Sequence, residues 1–129
     1  NNIGVYNIHF VGRVSEEDKA VLFKLSRAVV FPSISRAEAF GVTLVEGLMY
    51  GKALISTELG TGTSYVNLNG KTGIVVEPKN SLALRDALLK LYYDSSLTKE
   101  MEYSSRLRYE KLFNSKVMAQ KYFELYKSL

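Results

Sequence analysis

The sequence predicts an α/β fold: a parallel, doubly wound sheet carrying a helical C-terminal tail. Three observations support this. Short apolar runs closed by glycine or proline alternate with stretches of helical periodicity between residues 8 and 93. Ala28–Phe31 is apolar throughout and stops at Pro32, the pattern of a parallel strand covered on both faces. From Ser81 onward the pattern is helical only. The chain has 129 residues, of which 47% are apolar and 23% charged, so it is long enough for one domain with a real core.

The elements follow in order. Ile8–Val11, closed by Gly12, reads as a first strand. Ser15 caps a helix, with Asp18 in the position of the capping-box glutamate and acids filling the positive first turn. Val21, Leu22, Leu25 and Ala28 then recur at helical spacing and are expected to face inward. After the Ala28–Phe31 strand and a polar loop, residues 42–50 fit a helix with Leu44, Val45, Leu48 and Met49 inward and Gly51 as its stop. Residues 52–57 are strand-like, Gly60-Thr-Gly-Thr63 is a loop, and residues 73–77 form a fourth strand closed by Pro78. A helix runs from Ser81 to about Tyr93, and two more are expected around 96–112 and 115–128. Four short strands are few for such a sheet. Together with a start at Asn1-Asn2-Ile3, without Met, this leads us to expect a piece of something longer.

Composition narrows the function. Without cysteine, thiol nucleophiles and zinc ribbons are excluded. No apolar run approaches a membrane span, and no basic-then-apolar leader opens the chain, so the expected location is the cytoplasm. The net charge is +4, and residues 99–129, with seven basic side chains against four acidic, hold three of those charges. Such a tail suits phosphates or the inner face of an anionic membrane, but a solvated helix face is the favoured reading. No helix-turn-helix spacing or aromatic-interleaved RNA motif accompanies it, so no nucleic-acid partner is expected.

Two near-motifs fail. Gly47-Leu-Met-Tyr-Gly51-Lys52-Ala53 is one residue short of a phosphate loop between its glycines and has alanine where the magnesium hydroxyl belongs. Gly60-Thr-Gly62-Thr-Ser-Tyr65 begins like a dinucleotide fingerprint but puts tyrosine at the third glycine. The single histidine, His9, sits on the first predicted strand and makes no triad or zinc site.

The informative stretch runs from Pro32 to Glu46. A buried strand delivers the chain to the ligand edge, a loop exposes Glu38, and Gly41 opens a helix whose N–H groups from Gly41 to Leu44 offer an anion site. Glu46 lies eight residues after Glu38; were both helical they would stand roughly 12 Å apart. With Glu38 in the loop they bracket the helix start. That arrangement suits a ligand with a central phosphate and a hydroxyl-bearing group at each end, such as a nucleotide sugar. Two surface glutamates on a helix explain the spacing as well.

The segment Glu38-Ala-Phe-Gly-Val-Thr-Leu-Val-Glu46 resembles the signature of the retaining glycosyltransferases of family 4 (group 1), which have the two-domain GT-B fold. Asn7–Val14, Phe31-Pro-Ser33, Thr57–Gly62, Asn69–Gly73 and Val76–Lys79 follow in family order, and Ser56–Asn67 is similar to bacterial mannosyl- or rhamnosyltransferase-like enzymes of O-antigen and capsule assembly. The resemblance implies that residues 1–129 are the C-terminal, Rossmann-like donor half of such an enzyme, truncated on its N-terminal side. The partner would be its own N-terminal acceptor domain. The implied substrate is a nucleoside diphosphate sugar, with no metal and no cofactor. Glu38 would hydrogen-bond the sugar and support charge at its anomeric carbon. Amides of Phe40, Gly41 and Val42 would meet the sugar and diphosphate, joined by Thr43 and Leu44 at the helix start. Glu46 would grip the ribose diol, Arg13 and Val14 would edge the base, and Gly60 and Thr61 would form the lip facing the sugar.

The chain departs from the family pattern at Ser64, where glutamate is common, and at Gly47 and Ala53, where alanine and proline are common. The arginine and lysine that clamp the diphosphate in the family have no counterpart in these residues. The isolated chain is therefore expected not to turn over. A non-catalytic nucleotide- or sugar-binding module on the same fold is the alternative.

Overall fold

The computed structural model describes residues 7–129. Six helices and three strands follow in the order α1 (Glu16–Leu25), β1 (Ala28–Phe31), α2 (Val42–Met49), β2 (Ala53–Thr57), α3 (Thr63–Val66), β3 (Gly73–Val76), α4 (Ser81–Tyr93), α5 (Ser95–Leu112) and α6 (Ser115–Ser128). The strands form one parallel sheet in the order β1-β2-β3, with Val29 opposite Leu54 and Ile55 opposite Ile74. The predicted α/β class, parallel sheet and helical tail are all present.

Alternation along β2 builds two cores. Ala53 and Ile55 pack with Val76, Ala87, Leu91 and Met101 beneath α4 and α5. Leu54 faces the other way, with Val29, Leu44, Leu48 and Val66 beneath α2 and α3. Flanked by β1 and β3 and covered on both faces, β2 buries every residue. The polar residues in this interior pair with one another: Asn67 donates to Ser56 Oγ at 2.8 Å and accepts from Thr72 Oγ1 at 2.9 Å. Side-chain caps start four of the helices, with Ser15, Asn80, Asp94 and Asn114 each accepting a first-turn amide.

Four expectations need correction. Ile8–Val11 is not a strand: residues 8–12 are irregular and exposed, because none of the described residues offers them a hydrogen-bonding neighbour. The sheet therefore has three described strands rather than four. The apolar side of α1 is not inward either. Val21, Leu22 and Leu25 are exposed, and only Phe23 finds a partner, stacking on Tyr50 at 5.2 Å. Likewise β1 buries Val29 alone, since among the described residues it has a single neighbouring strand. The helix α3 begins where a continuous loop was expected, one residue past Gly62.

Candidate functional site

The carboxyl ends of β1 and β2 lie side by side, so the loops that leave them meet. Thr57 Oγ1 donates to the Ser33 carbonyl, joining the two strand ends. Gly62 N donates to Ala39 O at 2.8 Å, joining the Glu38 loop to the Gly60–Thr61 loop. This approach requires glycine at 62: a Cβ there would stand 2.7 Å from Ala39 O and 2.9 Å from the Phe40 ring. Gly41 turns the chain into α2 with φ of 79°, the left-handed region, and is buried against Leu44 and Thr63. The sequence thus brings Glu38, Phe40, Gly41, Gly60 and Thr61 together at one edge of the sheet.

The start of α2 differs from a row of open amides. Glu38, half-buried, accepts from Gly41 N through Oε1 at 3.0 Å. Leu44 N is also used, donating to Gly41 O at 2.9 Å. Among the described residues, the N–H groups of Val42 and Thr43 carry no partner. The expectation of four free donors from Gly41 to Leu44 is therefore reduced to two. A carboxylate already sits where the helix dipole favours negative charge.

Glu46 lies one turn into α2 and faces α1. Its Oε1 accepts from Lys19 Nζ at 2.7 Å, and Lys19 also contacts Glu16 Oε2 at 2.8 Å. Hydrogen bonds donated to the two carboxylates hold the Lys19 pKa above its ordinary value. A concavity of about 350 Å³ opens here, walled by Lys19, Thr43, Glu46, Ala28 and Val29. Glu38 is not part of that wall. Arg13 is exposed and Val14 half-buried in the irregular chain just before the Ser15 cap, and no hydrogen bond or ion pair of the described residues ties either side chain to α2.

Sequence reasoning missed Lys19, whose partnership with Glu46 spans 27 positions and has no local signature. It also missed Glu58. That carboxylate accepts from Gly60 N at 2.9 Å and from Ser64 Oγ at 2.9 Å, bracing the Gly60–Thr61 lip against α3. An acid two residues before a glycine turn was the available signal.

The sequence pattern of the family described as glycosyl transferases group 1 matches residues 4–108, and the chain belongs to that family. Over 113 residues it is 50% identical to D-rhamnosyltransferase WbpZ of Pseudomonas aeruginosa, an alignment covering 88% of this chain and 30% of that protein. It is 42% identical over 126 residues to O-antigen chain mannosyltransferase C of Escherichia coli, covering 98% and 34% respectively. Among solved structures, sucrose-phosphate synthase from Thermosynechococcus elongatus superposes with a TM-score of 0.83 at 27% identity, over 93% of this chain and 29% of that one. The chain spans about a third of the length of the curated relatives it matches.

Proposed function

We propose that this chain is the donor-binding part of a retaining glycosyltransferase, moving a hexose from a nucleoside diphosphate sugar to a glycan or lipid-linked acceptor in polysaccharide biosynthesis. Family membership supports sugar transfer. The observation that carries the site assignment is the junction at the sheet edge, where Glu38, the two unpartnered amides of Val42 and Thr43, and the Gly60–Thr61 lip converge. A diphosphate leaving group builds negative charge, and fixed donors aimed at it lower the barrier without reorganising during the reaction. In this reading the Val42 and Thr43 amides, with the Thr43 hydroxyl, receive the diphosphate. Glu38, steadied by Gly41 N, meets the sugar and the positive charge that develops at its anomeric carbon. Phe40, Gly41 and Leu44 shape the helix start through their backbone, Glu46 takes the ribose, and Arg13 and Val14 edge the base. The acceptor half is proposed to lie outside residues 1–129, and the isolated chain is expected to show no transfer.

Glu38→Gln tests this in the full-length protein. Glutamine keeps an oxygen for Gly41 N, so the turn survives while the charge is lost. Turnover with the preferred nucleotide sugar should fall at least about a hundredfold with the melting temperature nearly unchanged. Unchanged turnover removes Glu38 from the chemistry, and absence of transfer from any nucleoside diphosphate sugar by the wild type favours a binding module. The anomeric configuration of the product, read by NMR, tests retention.

A further inference from the structure

Glu46 has two carboxylate oxygens, and the protein uses one. Oε1 is held by Lys19 Nζ at 2.7 Å, while Oε2 has no protein partner among the described residues. The carboxylate is neither loose nor spent: its side chain is 26% exposed, anchored through Oε1, and lines the same cavity as Thr43. We propose that Lys19 is a positioning residue for Glu46, fixing one oxygen against α1 so that the other meets the ribose diol of a nucleoside diphosphate, and that it thereby sets the preference for ribose over 2′-deoxyribose. This rests on the donor-site reading above.

Charge balance argues against the obvious alternative, that Lys19 binds the diphosphate itself. Its ammonium already faces two carboxylates, Glu16 and Glu46, so the cluster is net negative. Such a cluster receives hydroxyl donors and repels phosphate. A purely structural role is also a poor account. Half-exposed ion pairs add little stability, and α1 is already held to α2 and its neighbourhood by the Phe23–Tyr50 stack and by Lys52 Nζ donating to Lys24 O at 2.9 Å. What Lys19 adds is direction. Without it the Glu46 side chain regains its rotamer freedom on an open helix face, and ordering it again would fall to the ligand.

The test is calorimetric binding of GDP, UDP and ADP, each against its 2′-deoxy counterpart, to the full-length protein, carried on with the tightest pair. The wild type should prefer the ribonucleotide, and Glu46→Ala should bring the two affinities together. Lys19→Met should cut the ribose preference at least about tenfold while leaving deoxynucleotide affinity within about twofold, and Lys19→Arg should restore it. Lys19→Gln serves as a second variant should Lys19→Met melt early. If Glu46→Ala loses the preference and both neutral Lys19 variants keep it, the Lys19 proposal fails and the donor site stands. Equal weakening of both nucleotides by the Lys19 variants makes the residue structural and also overturns the proposal. If Glu46→Ala leaves the preference intact, or no nucleotide binds, the donor-site reading falls and takes this proposal with it.

Discussion

Ile8–Val11 and Ala53–Ile55 are both short runs dominated by apolar residues, yet they have opposite fates. The second is the middle of the sheet, with each of its residues buried. The first is irregular chain, with Phe10 93% exposed. Neither hydrophobicity nor β-propensity separates them. The difference is neighbours: β2 has a parallel partner on each side and helices on both faces, whereas no described residue pairs with Ile8–Val11. α1 shows the same thing for a helix. Its Ser15 cap is made and its ten residues are helical, but it buries none of them. Local signals are enough to form an element; burial needs something to bury it against.

The largest expected effect comes from disturbing the centre of the buried region. Gly73 opens β3 with its α-carbon so near β2 that a Cβ would stand 1.9 Å from Leu54 O and 2.7 Å from Asn67 Oδ1. Gly73→Ala should therefore separate β2 from β3 and cost more than about 4 kcal/mol, leaving no cooperative transition in urea. Survival of a sharp transition would mean that the two strands tolerate a wider spacing. Next comes Leu54→Ala, which empties the core under α2 and should cost about 2–5 kcal/mol in the same titration.

A smaller but more informative change is Asn67→Leu. Asn67 is fully buried and ties Ser56 of β2, Thr72 and the Ile74 carbonyl of β3 to the end of α3. Its loss leaves the Ser56 and Thr72 hydroxyls short of a partner, at about 1–3 kcal/mol. Because α3 begins directly after the Gly60–Thr61 lip, the change should also loosen the lip, read as faster amide exchange at Gly60 and Thr61. Lost stability without that change in exchange would separate the lip from the polar network.

Most of the interior was legible in the sequence because it follows from local pattern. The Ala28–Phe31 and residue 73–77 runs, the Gly41 start of α2 and the Ser15 cap all report on nearby residues, and the helices of the tail fell within a residue or two of expectation. The site was legible in part. Glu38 and Glu46 stand out by spacing, but the bond from Gly41 N to Glu38 depends on how a loop folds back, and the bond from Lys19 to Glu46 on how α1 lies across α2. Pairings at that separation leave no periodic trace. Asn67, Ser56 and Thr72 were missed for a related reason: polar residues scattered through a loop and two strand ends look solvated until the sheet brings them together.

The smallest expected effect is the one that bears most directly on the contrast between the two apolar runs. Phe10→Ser and Leu25→Gln each remove an exposed apolar side chain, Leu25 being 80% exposed, from a segment whose neighbours are also exposed. A residue that buries nothing on folding contributes little of the roughly 25 cal/mol per Å² that burial supplies. Each change should therefore shift the stability of residues 1–129 by no more than about 0.5 kcal/mol. The same Leu→polar change at Leu48, fully buried in the α2 core, should exceed that severalfold. A large loss from Phe10→Ser would show that Ile8–Val11 is covered in solution and that the run behaves as the strand its composition predicts. A null result, beside the failure of Gly73→Ala, would establish that in this chain the supply of neighbours decides which apolar run is core.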